Sequence, residues 1–501
     1  MRARHGFPPV VVGVLTALFV AWIWGSLSEP ATIHDEAAYL LQAEIFASGR
    51  ISADPPPLPE FFEQYHVLVT PRLAPKYPPG HALLLVPGVW LGVPGLTPVL
   101  LAGLAGGLLF ALARSVSGFP VAVLTWVIWL SAPAGNLWRA TYLSESTSTA
   151  IWLGTAWLLL RWSKTGHARD LVGIAGLAAW MGITRPLSAI GFAAPLGVVV
   201  LLGVWRRGCW GALVGACAAG LVVLGLIPIW SASSTLDWRV TPYTEYSRVY
   251  TPYQKLGFGV DPLPAERALP IDMAESDAAY RRIHAAHSVR GLPRAFAERL
   301  LAVAEEIWSG APWRMPLALF VAIGLLALPP AGRFGLIWML SLFAAYLLYA
   351  HPLDWLVYYY EAHAFFAFVA ALGLWTLLER LAKARAPQLA TVLVALIGFL
   401  GARDALTTRD EIQRRGAYHR AFARIVAAIP EEKAVLFVRY DPRHDPNFAL
   451  VENPPDHARA RVWIVYDRGD DDARLLALAK DRVPYYFDEK SFSLYRLTPP
   501  P

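Results

Sequence analysis

The sequence has little charge and almost no cysteine. Only 16 % of its 501 residues are charged, against about 25 % in soluble domains, and this scarcity excludes an ordinary soluble fold. The two cysteines, Cys209 and Cys217, lie in one apolar segment. A helix would separate them by about 12 Å, which excludes a disulfide between them. No metal-binding spacing, redox pair or internal repeat is visible in the sequence.

Hydrophobic residues are abundant instead, at 56 % of the chain, with twenty Trp and twenty Tyr that suit many membrane–water interfaces. These numbers predict an α-helical polytopic membrane protein. The net charge of +6 requires no nucleic acid as a partner, because cytoplasmic loops of membrane proteins are basic. The first apolar run, residues 10–27, is long for a signal peptide and is interpreted as a retained span.

Eleven apolar segments are predicted as transmembrane helices: 8–28, 95–114, 119–135, 147–162, 170–184, 187–204, 209–230, 315–330, 333–350, 356–378 and 387–403. A further apolar segment, 79–94, is shorter than the about 20 residues that a crossing needs. When 79–94 does not cross, the short cytoplasmic loops hold twelve basic residues and the outer loops hold few. We therefore predict a re-entrant or surface helix at 79–94, a cytoplasmic N-terminus and a C-terminus outside the plasma membrane.

This topology predicts two domains. Residues 1–403 form the transmembrane domain, with long outer loops at 29–94 and 231–314, the second helical at about 274–308. Residues 404–501 carry a soluble density of charge and form a small extracytoplasmic α/β domain. Its predicted elements are helices at 409–429 and 473–480 and strands at 434–438, 461–466 and 491–495.

An acidic stretch, residues 34–45, follows the first predicted span. Its periodicity predicts an amphipathic helix on the membrane surface that presents Asp35 and Glu36 at its start. Carboxylates beside a bilayer are costly and are not needed for anchoring, so the pair indicates a functional role. The alternative is a capping box at 32–35, in which Asp35 only satisfies the start of the helix.

Other polar residues collect at the outer ends of the predicted spans. An acid at this face could accept a proton, and Arg185 could bind a phosphate on a lipid carrier. Each residue also has an ordinary explanation: Arg185 can snorkel, tyrosines can belong to an aromatic belt, and Glu145 can cap its helix. The residues are Lys76, Tyr77, His81, Glu145, Arg185, Tyr359, Tyr360 and Glu361.

The run His-Asp-Glu-Ala-Ala-Tyr-Leu-Leu-Gln-Ala at residues 34–43 resembles the first-loop acidic motif of the GT-C glycosyltransferases. These polytopic enzymes use polyprenyl-phosphate sugars, and they include protein mannosyltransferases and the aminoarabinose transferases of lipid A. The resemblance extends, in the same order and on the same predicted side, through residues 77–81, 142–145, 182–186 and 359–362.

The resemblance implies an inverting transferase that moves a sugar from a polyprenyl-phosphate donor to a cell-envelope acceptor at the outer face of the plasma membrane. Asp35 would act as general base, with Glu36 beside it, or would bind a divalent Mg²⁺ or Mn²⁺ together with Glu145. Arg185 would hold the departing phosphate. The other expected substrate-binding residues are Tyr39, Lys76, Tyr77, His81, Glu145, Tyr359, Tyr360 and Glu361.

Two positions depart from the family pattern. Related sequences often have an arginine before the tyrosine run, where this chain has Leu356 and Val357, and this weakens the phosphate site. They often have histidine where Glu145 stands, which could change metal use or substrate. An inactive GT-C-like scaffold that binds lipid or partner proteins therefore stays open. A transporter or flippase should carry charges near the middle of its spans and two similar halves, and neither is seen.

Overall fold

The computed structural model describes residues 8–259, 265–267, 269 and 271–497. They fold into two compact units. The first unit comprises the chain up to Leu27, Gly95–Gly225 and Ser288–Gln413. The second comprises Ser28–Pro94, Leu226–His287 and the chain from Arg414 onward. The first long loop and residues 231–287 of the second therefore fold together with the C-terminal segment, whereas residues 288–314 belong to the first unit.

The described residues are mostly helical. In chain order the α-helices are α1 (Pro9–Trp24), α2 (His34–Ala47), α3 (Gly80–Trp90), α4 (Leu96–Ser117), α5 (Phe119–Leu130), α6 (Pro133–Arg139), α7 (Glu145–Thr165), α8 (Ala168–Gly182), α9 (Pro186–Arg207), α10 (Trp210–Leu224), α11 (Leu226–Thr235), α12 (Pro242–Tyr250), α13 (Ile271–Ala286), α14 (Leu292–Ser309), α15 (Met315–Leu326), α16 (Pro330–Tyr346), α17 (Ala362–Ala382), α18 (Ala386–Ala427) and α19 (Asp472–Leu478). The strands are β1 (Val67–Leu68), β2 (Ala74–Pro75), β3 (Ala434–Arg439), β4 (Val462–Tyr466), β5 (Val483–Asp488) and β6 (Ser493–Arg496).

The apolar helices make this a multi-pass membrane protein. Among the described residues, four helical segments are long and apolar enough to cross a membrane: Leu96–Ser117, Pro186–Arg207, Trp210–Thr235 and Ala362–Ala427. Two sharply bent helix pairs raise that number to six if each pair is one span. The predicted number of eleven spans is therefore not confirmed. Helix α3, inside the segment predicted not to cross, has 11 residues and is shorter than a bilayer requires.

Buried arginines hold one of the bends in place. Helices α5 and α6 meet at 73°, and this break leaves carbonyl groups at the end of α5 without helical partners. The Arg314 guanidinium donates to the Ile128 carbonyl and to the Ser131 hydroxyl. Arg139 donates to the Trp129 carbonyl at 3.0 Å. The two side chains are 1 % exposed, so these hydrogen bonds also satisfy the buried guanidinium groups.

The C-terminal segment forms a four-stranded sheet in the order β4-β3-β5-β6, with β3 parallel to β4 and β5 and with β6 antiparallel to β5. Successive side chains of β3 point alternately to the two faces of the sheet, and each face packs on its own hydrophobic core. Leu436 packs with Phe422 near the end of α18, and Phe437 packs with Leu475 of α19. The small C-terminal sheet that the sequence predicts is present, but strand β5 was missed, because Pro484 lies within it and proline usually argues against an inner strand.

Glycines allow α15 and α17 to approach closely in the first unit. A Cβ added at Gly373 would overlap the carbonyl oxygen of Phe320, and one added at Gly324 would overlap that of Val369. Because backbone rather than a movable side chain occupies the space, the helices must separate to admit a methyl group.

We expect Gly373→Ala to lower the free energy of unfolding by roughly 1–3 kcal/mol, the cost of overpacking a dense core. Thermal melting in detergent measures the effect. Gly398→Ala is the matched control, since no heavy atom lies within 4 Å of a Cβ added at Gly398. It should not lower the melting temperature, because alanine stabilises a helix relative to glycine. Equal melting temperatures for the two variants would contradict this account of the helix pair.

Candidate active site

The acidic helix α2 is buried on most of its surface in the second unit. Its predicted apolar stripe is confirmed, because Ala38, Leu41 and Ile45 pack against a small core under the β1–β2 hairpin. Glu36, which was expected to be presented at the start of the helix, is instead 3 % exposed, and Gln42 on the other face of the helix is 1 % exposed. Helix α3 and the residues before it cover this face, and the Gln42 amide donates to the Tyr77 carbonyl at 2.8 Å.

Asp35 does not cap its own helix. The cap position is Ile33, which makes no side-chain cap, and the Glu36 carboxylate accepts from the Thr32 backbone N–H at 2.8 Å and from its hydroxyl at 2.9 Å. Glu36 therefore satisfies the start of the helix in the way that a capping box does. Since Asp35 has no part in it, the capping explanation fails for Asp35 and applies to Glu36, which was expected to be catalytic.

Instead, Asp35 faces residues from later in the first long loop. The Tyr77 hydroxyl donates to Asp35 Oδ1, and His66 Nε2 lies 3.4 Å from Asp35 Oδ2. The side chain of Asp35 remains 41 % exposed. A carboxylate that is fixed at both oxygens and still open on one side can meet a reactant.

Aromatic rings build one wall beside this carboxylate. Tyr39 stacks on Tyr77 with ring centroids 4.6 Å apart, and the edge of His81 meets Tyr39 at 4.8 Å. The structure therefore brings together Asp35 and three of its predicted neighbours. These ring contacts fix the position of Tyr77, whose hydroxyl group donates to Asp35.

Lys76 lies in a cage of tyrosines. Its ammonium nitrogen is 5.5 Å from the ring centroid of Tyr77, 5.1 Å from that of Tyr243 and 4.8 Å from that of Tyr246. The lysine is 3 % exposed. Such contacts stabilise a buried cation through the negative faces of the rings. The predicted residue is thus placed beside Asp35, with two tyrosines that were not predicted.

Burial and neighbouring charges set the ionisation of this cluster. Burial favours a higher pKa for Asp35, but His66, Tyr77 and Lys76 outweigh it and hold the pKa below its ordinary value. Burial, together with the charge of Lys76, lowers the pKa of His66 to about 4. Burial also lowers the pKa of Lys76 to about 8. At neutral pH Asp35 is therefore ionised, His66 is neutral and Lys76 is mostly charged.

His66 has a strained backbone, with φ at 67°, a left-handed conformation that is uncommon outside glycine. Its N–H donates to the Tyr246 hydroxyl at 3.0 Å, and its carbonyl accepts from the Lys76 N–H at 2.8 Å. Strain of this kind often marks a functional position. Sequence reasoning missed His66 and Tyr246, because they lie in loops without periodicity and are 180 residues apart.

The C-terminal domain reaches the start of α2 within the same unit. The loop that follows β3 places the Pro446 carbonyl 3.1 Å from His34 Nε2 and the Asn447 carbonyl 3.2 Å from the His34 backbone nitrogen. Farther along this loop, Ala449 packs against Ala37. The residue next to Asp35 is therefore fixed by the tail of the chain.

A second polar cluster lies in the first unit. Arg185 Nη1 donates to Glu145 Oε1 at 2.9 Å and lies 3.9 Å from Glu361 Oε1. Arg185 Nη2 donates to the Tyr346 hydroxyl at 3.4 Å and the Val357 carbonyl at 3.3 Å. The structure thus joins three predicted residues, but two carboxylates surround one guanidinium that is already bonded. Binding of phosphate by Arg185 stays a prediction.

The two remaining tyrosines make other contacts. The Tyr359 hydroxyl lies 2.9 Å from His351 Nε2, and its ring stacks on Phe343 at 4.3 Å. Tyr360 donates to the Gly135 carbonyl at 3.3 Å. These bonds satisfy the hydroxyl groups inside the protein, and a substrate role for either residue stays a prediction.

Asp35 and Glu145, the residues expected to bind a divalent metal, belong to different compact units. In the described part of the chain, no group of three or more His, Cys, Asp or Glu side chains is placed to hold a metal ion. Mg²⁺ is a hard cation that prefers oxygen ligands, whereas the neighbours of Asp35 include an imidazole and an ammonium group. Metal binding here stays a prediction, and no chemical step is derived from it.

No protein-family model and no curated protein sequence matches the chain. Apo ArnT from Cupriavidus metallidurans matches with a TM-score of 0.54 at 15 % identity, over 96 % of this chain and 90 % of ArnT. The ArnT structure bound to undecaprenyl phosphate has a TM-score of 0.51 at 16 % identity over the same shares. Archaeal oligosaccharyltransferase AglB from Archaeoglobus fulgidus, in complex with an inhibitory peptide and a dolichol-phosphate, has a TM-score of 0.39 at 13 % identity, over 86 % of this chain and 62 % of AglB.

The chain has the fold of the GT-C glycosyltransferases, so the resemblance indicated by the sequence is confirmed at the level of the fold. The particular fold that the chain shares, over 96 % of its length, is that of ArnT.

We expect Arg185→Ala to lower the free energy of unfolding by about 3–5 kcal/mol, because it leaves buried carboxylates without their cation. Thermal melting in detergent checks this. Arg294→Ala, which breaks an exposed pair with Glu298 (84 % and 38 % exposed), should change melting very little. If Arg185→Ala melts like the wild type, the guanidinium is free for another partner.

Proposed function

We propose that this protein is an inverting glycosyltransferase that moves a sugar from a polyprenyl-phosphate donor to a cell-envelope acceptor, which is a glycan, lipid or protein, at the outer face of the plasma membrane. The GT-C fold and the apolar helices support a membrane enzyme with a lipid-linked donor. ArnT, which shares the fold, has been solved with undecaprenyl phosphate bound.

The observation that carries the proposal is the state of Asp35. Its carboxylate is excluded from the cap of α2, oriented by Tyr77 and His66, and exposed on one side. Residues with only a structural role at the start of a helix bond to backbone N–H groups, and Glu36 fills that role here. Asp35 is therefore available for chemistry.

The proposed reaction is a single displacement. An acceptor hydroxyl oxygen forms a bond to the anomeric carbon of the donor, and the bond from that carbon to the phosphate oxygen breaks, so that polyprenyl phosphate leaves with the electron pair. The acceptor proton passes to Asp35. Because the pKa of Asp35 lies below its ordinary value, the carboxylate is a weak base that accepts the proton only as the new bond forms.

Lys76 is the better candidate than Arg185 to hold the leaving phosphate. Its ammonium group is held by ring faces, which leave its hydrogen-bond donors for an anion. Arg185 is bonded to Glu145, Tyr346 and Val357. In this proposal Tyr39, Tyr77 and His81 line the sugar site, while Glu145, Arg185 and Glu361 support the first unit.

The bonded state of Arg185 also favours the second candidate function, an inactive GT-C-like scaffold that binds lipid. Mass analysis of cell-envelope glycans from a deletion strain separates the two. Loss of a sugar from one envelope component supports the transferase and names the donor, whereas an unchanged set of glycans supports the scaffold.

We expect Asp35→Asn to reduce transfer by at least ~100-fold, because positioned base catalysis contributes about 10²–10⁴. Asparagine keeps the size of the side chain and can still accept from Tyr77, so melting should stay normal. The assay measures release of polyprenyl phosphate from synthetic polyprenyl-phosphate hexoses and pentoses, with cell-envelope extract as acceptor.

Glu36→Gln is the control within the same helix and should lose much less activity than Asp35→Asn. An Asp35→Asn protein that melts and transfers normally would remove Asp35 from the mechanism.

We expect the second-order rate constant of transfer to fall as the pH rises above about 8, because the lowered pKa of Lys76 places its loss of charge there. Below that pH the ammonium group is present and can offset the charge of the phosphate. Lys76→Arg keeps the positive charge at higher pH and should remove this alkaline decline. A decline that persists unchanged in Lys76→Arg would assign it to another group.

A further inference from the structure

The first unit contains an apolar cavity of about 560 Å³ between α4, α7, α9, α16 and α17. This volume is typical of small-ligand sites. Its wall is almost entirely hydrophobic, with side chains such as Leu112, Trp152, Leu159, Val199, Phe334 and Phe365. Such a wall offers water few hydrogen-bond partners, so a hydrocarbon chain suits the cavity.

The charged groups among the described lining residues are Glu361, Arg206 and Arg207. They lie at opposite ends of the cavity. Glu361 is beside Arg185, which precedes the first residue of α9, whereas Arg206 and Arg207 end that helix. Because α9 has 22 residues, its ends are roughly 33 Å apart.

The two arginines differ in their contacts. Arg207 donates to the Trp162 carbonyl at 2.7 Å and the Ser163 carbonyl at 2.5 Å, and therefore caps the end of α7. Arg206 is exposed and, within the described part of the chain, makes no hydrogen bond or ion pair. Arg206 is the cation available to a ligand at this rim.

The other end of the cavity is unsuited to an anion. The Glu361 side chain is 1 % exposed, and neither of its oxygens accepts a hydrogen bond from a described residue. A phosphate placed there would lie against this buried carboxylate and would be repelled by it. The nearby Arg185 guanidinium already donates to Glu145, Tyr346 and Val357.

We propose that this cavity binds an anionic phospholipid, with its acyl chains among the apolar side chains and its headgroup phosphate at Arg206. Charge complementarity at one end and repulsion at the other determine the direction of the lipid. A polyprenyl-phosphate donor with its phosphate near Arg185 would instead place its apolar tail end at the cationic rim. The lipid is therefore a resident of the fold, separate from the proposed transfer reaction.

The test uses the full-length protein, purified in detergent and stripped of lipid. Native mass spectrometry measures the affinity of phosphatidylglycerol and of phosphatidylethanolamine with the same acyl chains. Phosphatidylglycerol should bind more tightly, and Arg206→Gln should weaken it about fivefold, the effect of one cation at a lipid headgroup. Arg206→Lys should keep the affinity.

Two further variants separate the site from general surface charge. Arg169→Gln removes an exposed arginine outside the cavity, on α8, and should leave lipid affinity unchanged. Ala156→Trp fills the cavity from α7 and should weaken binding of both lipids. The proposal is overturned if Arg206→Gln leaves the affinity for phosphatidylglycerol unchanged. It is also overturned if undecaprenyl phosphate displaces phosphatidylglycerol equally well from the wild type and from Arg206→Gln, because Arg206 would then not hold the phospholipid.

Discussion

The hydrogen bond from Tyr77 to Asp35 fixes the carboxylate around which the candidate site is arranged. It joins the first acidic residue of α2 to the segment that leads into α3, and Tyr39 and His81 pack beside it. Since Glu36 takes over the start of the helix, α2 can form without any contribution from Asp35. Glu36 thereby stabilises the start of the helix, and the neighbouring Asp35 is left for the proposed chemistry.

Sequence reasoning could predict what short-range patterns encode. The apolar stripe of α2, strands β3, β4 and β6 and helix α19 follow from periodicity over a few residues, and Tyr39, Tyr77 and His81 lie within 50 residues of Asp35 in the chain. Strand β5 was missed because of Pro484. His66, Tyr243 and Tyr246 were missed because distant loops bring them together. Hydropathy identifies apolar segments but does not show where a segment bends, as between α5 and α6. The number of predicted spans was therefore not confirmed.

Buried charge is treated differently in the two units. The ammonium group of Lys76 contacts ring faces, which leave its hydrogen-bond donors available. The guanidinium of Arg185 instead donates hydrogen bonds to Glu145, Tyr346 and Val357. Sequence alone could not separate the two cations, because each lies within two residues of a following proline, Pro78 or Pro186, close to the start of a helix. Side-chain surroundings, which depend on tertiary contacts, make one a candidate ligand for phosphate and the other a support for its own unit.

The contact between His34 and the loop after β3 links the acidic helix to the order of protein synthesis. His34 and Pro446 are 412 residues apart in the chain, so at ribosomal rates the helix waits roughly 20–80 s for its partner. A nascent chain cannot complete the surroundings of Asp35 until nearly all of it has been made. Truncated products that contain the described apolar helices but lack the loop after β3 would therefore still lack the contact with His34.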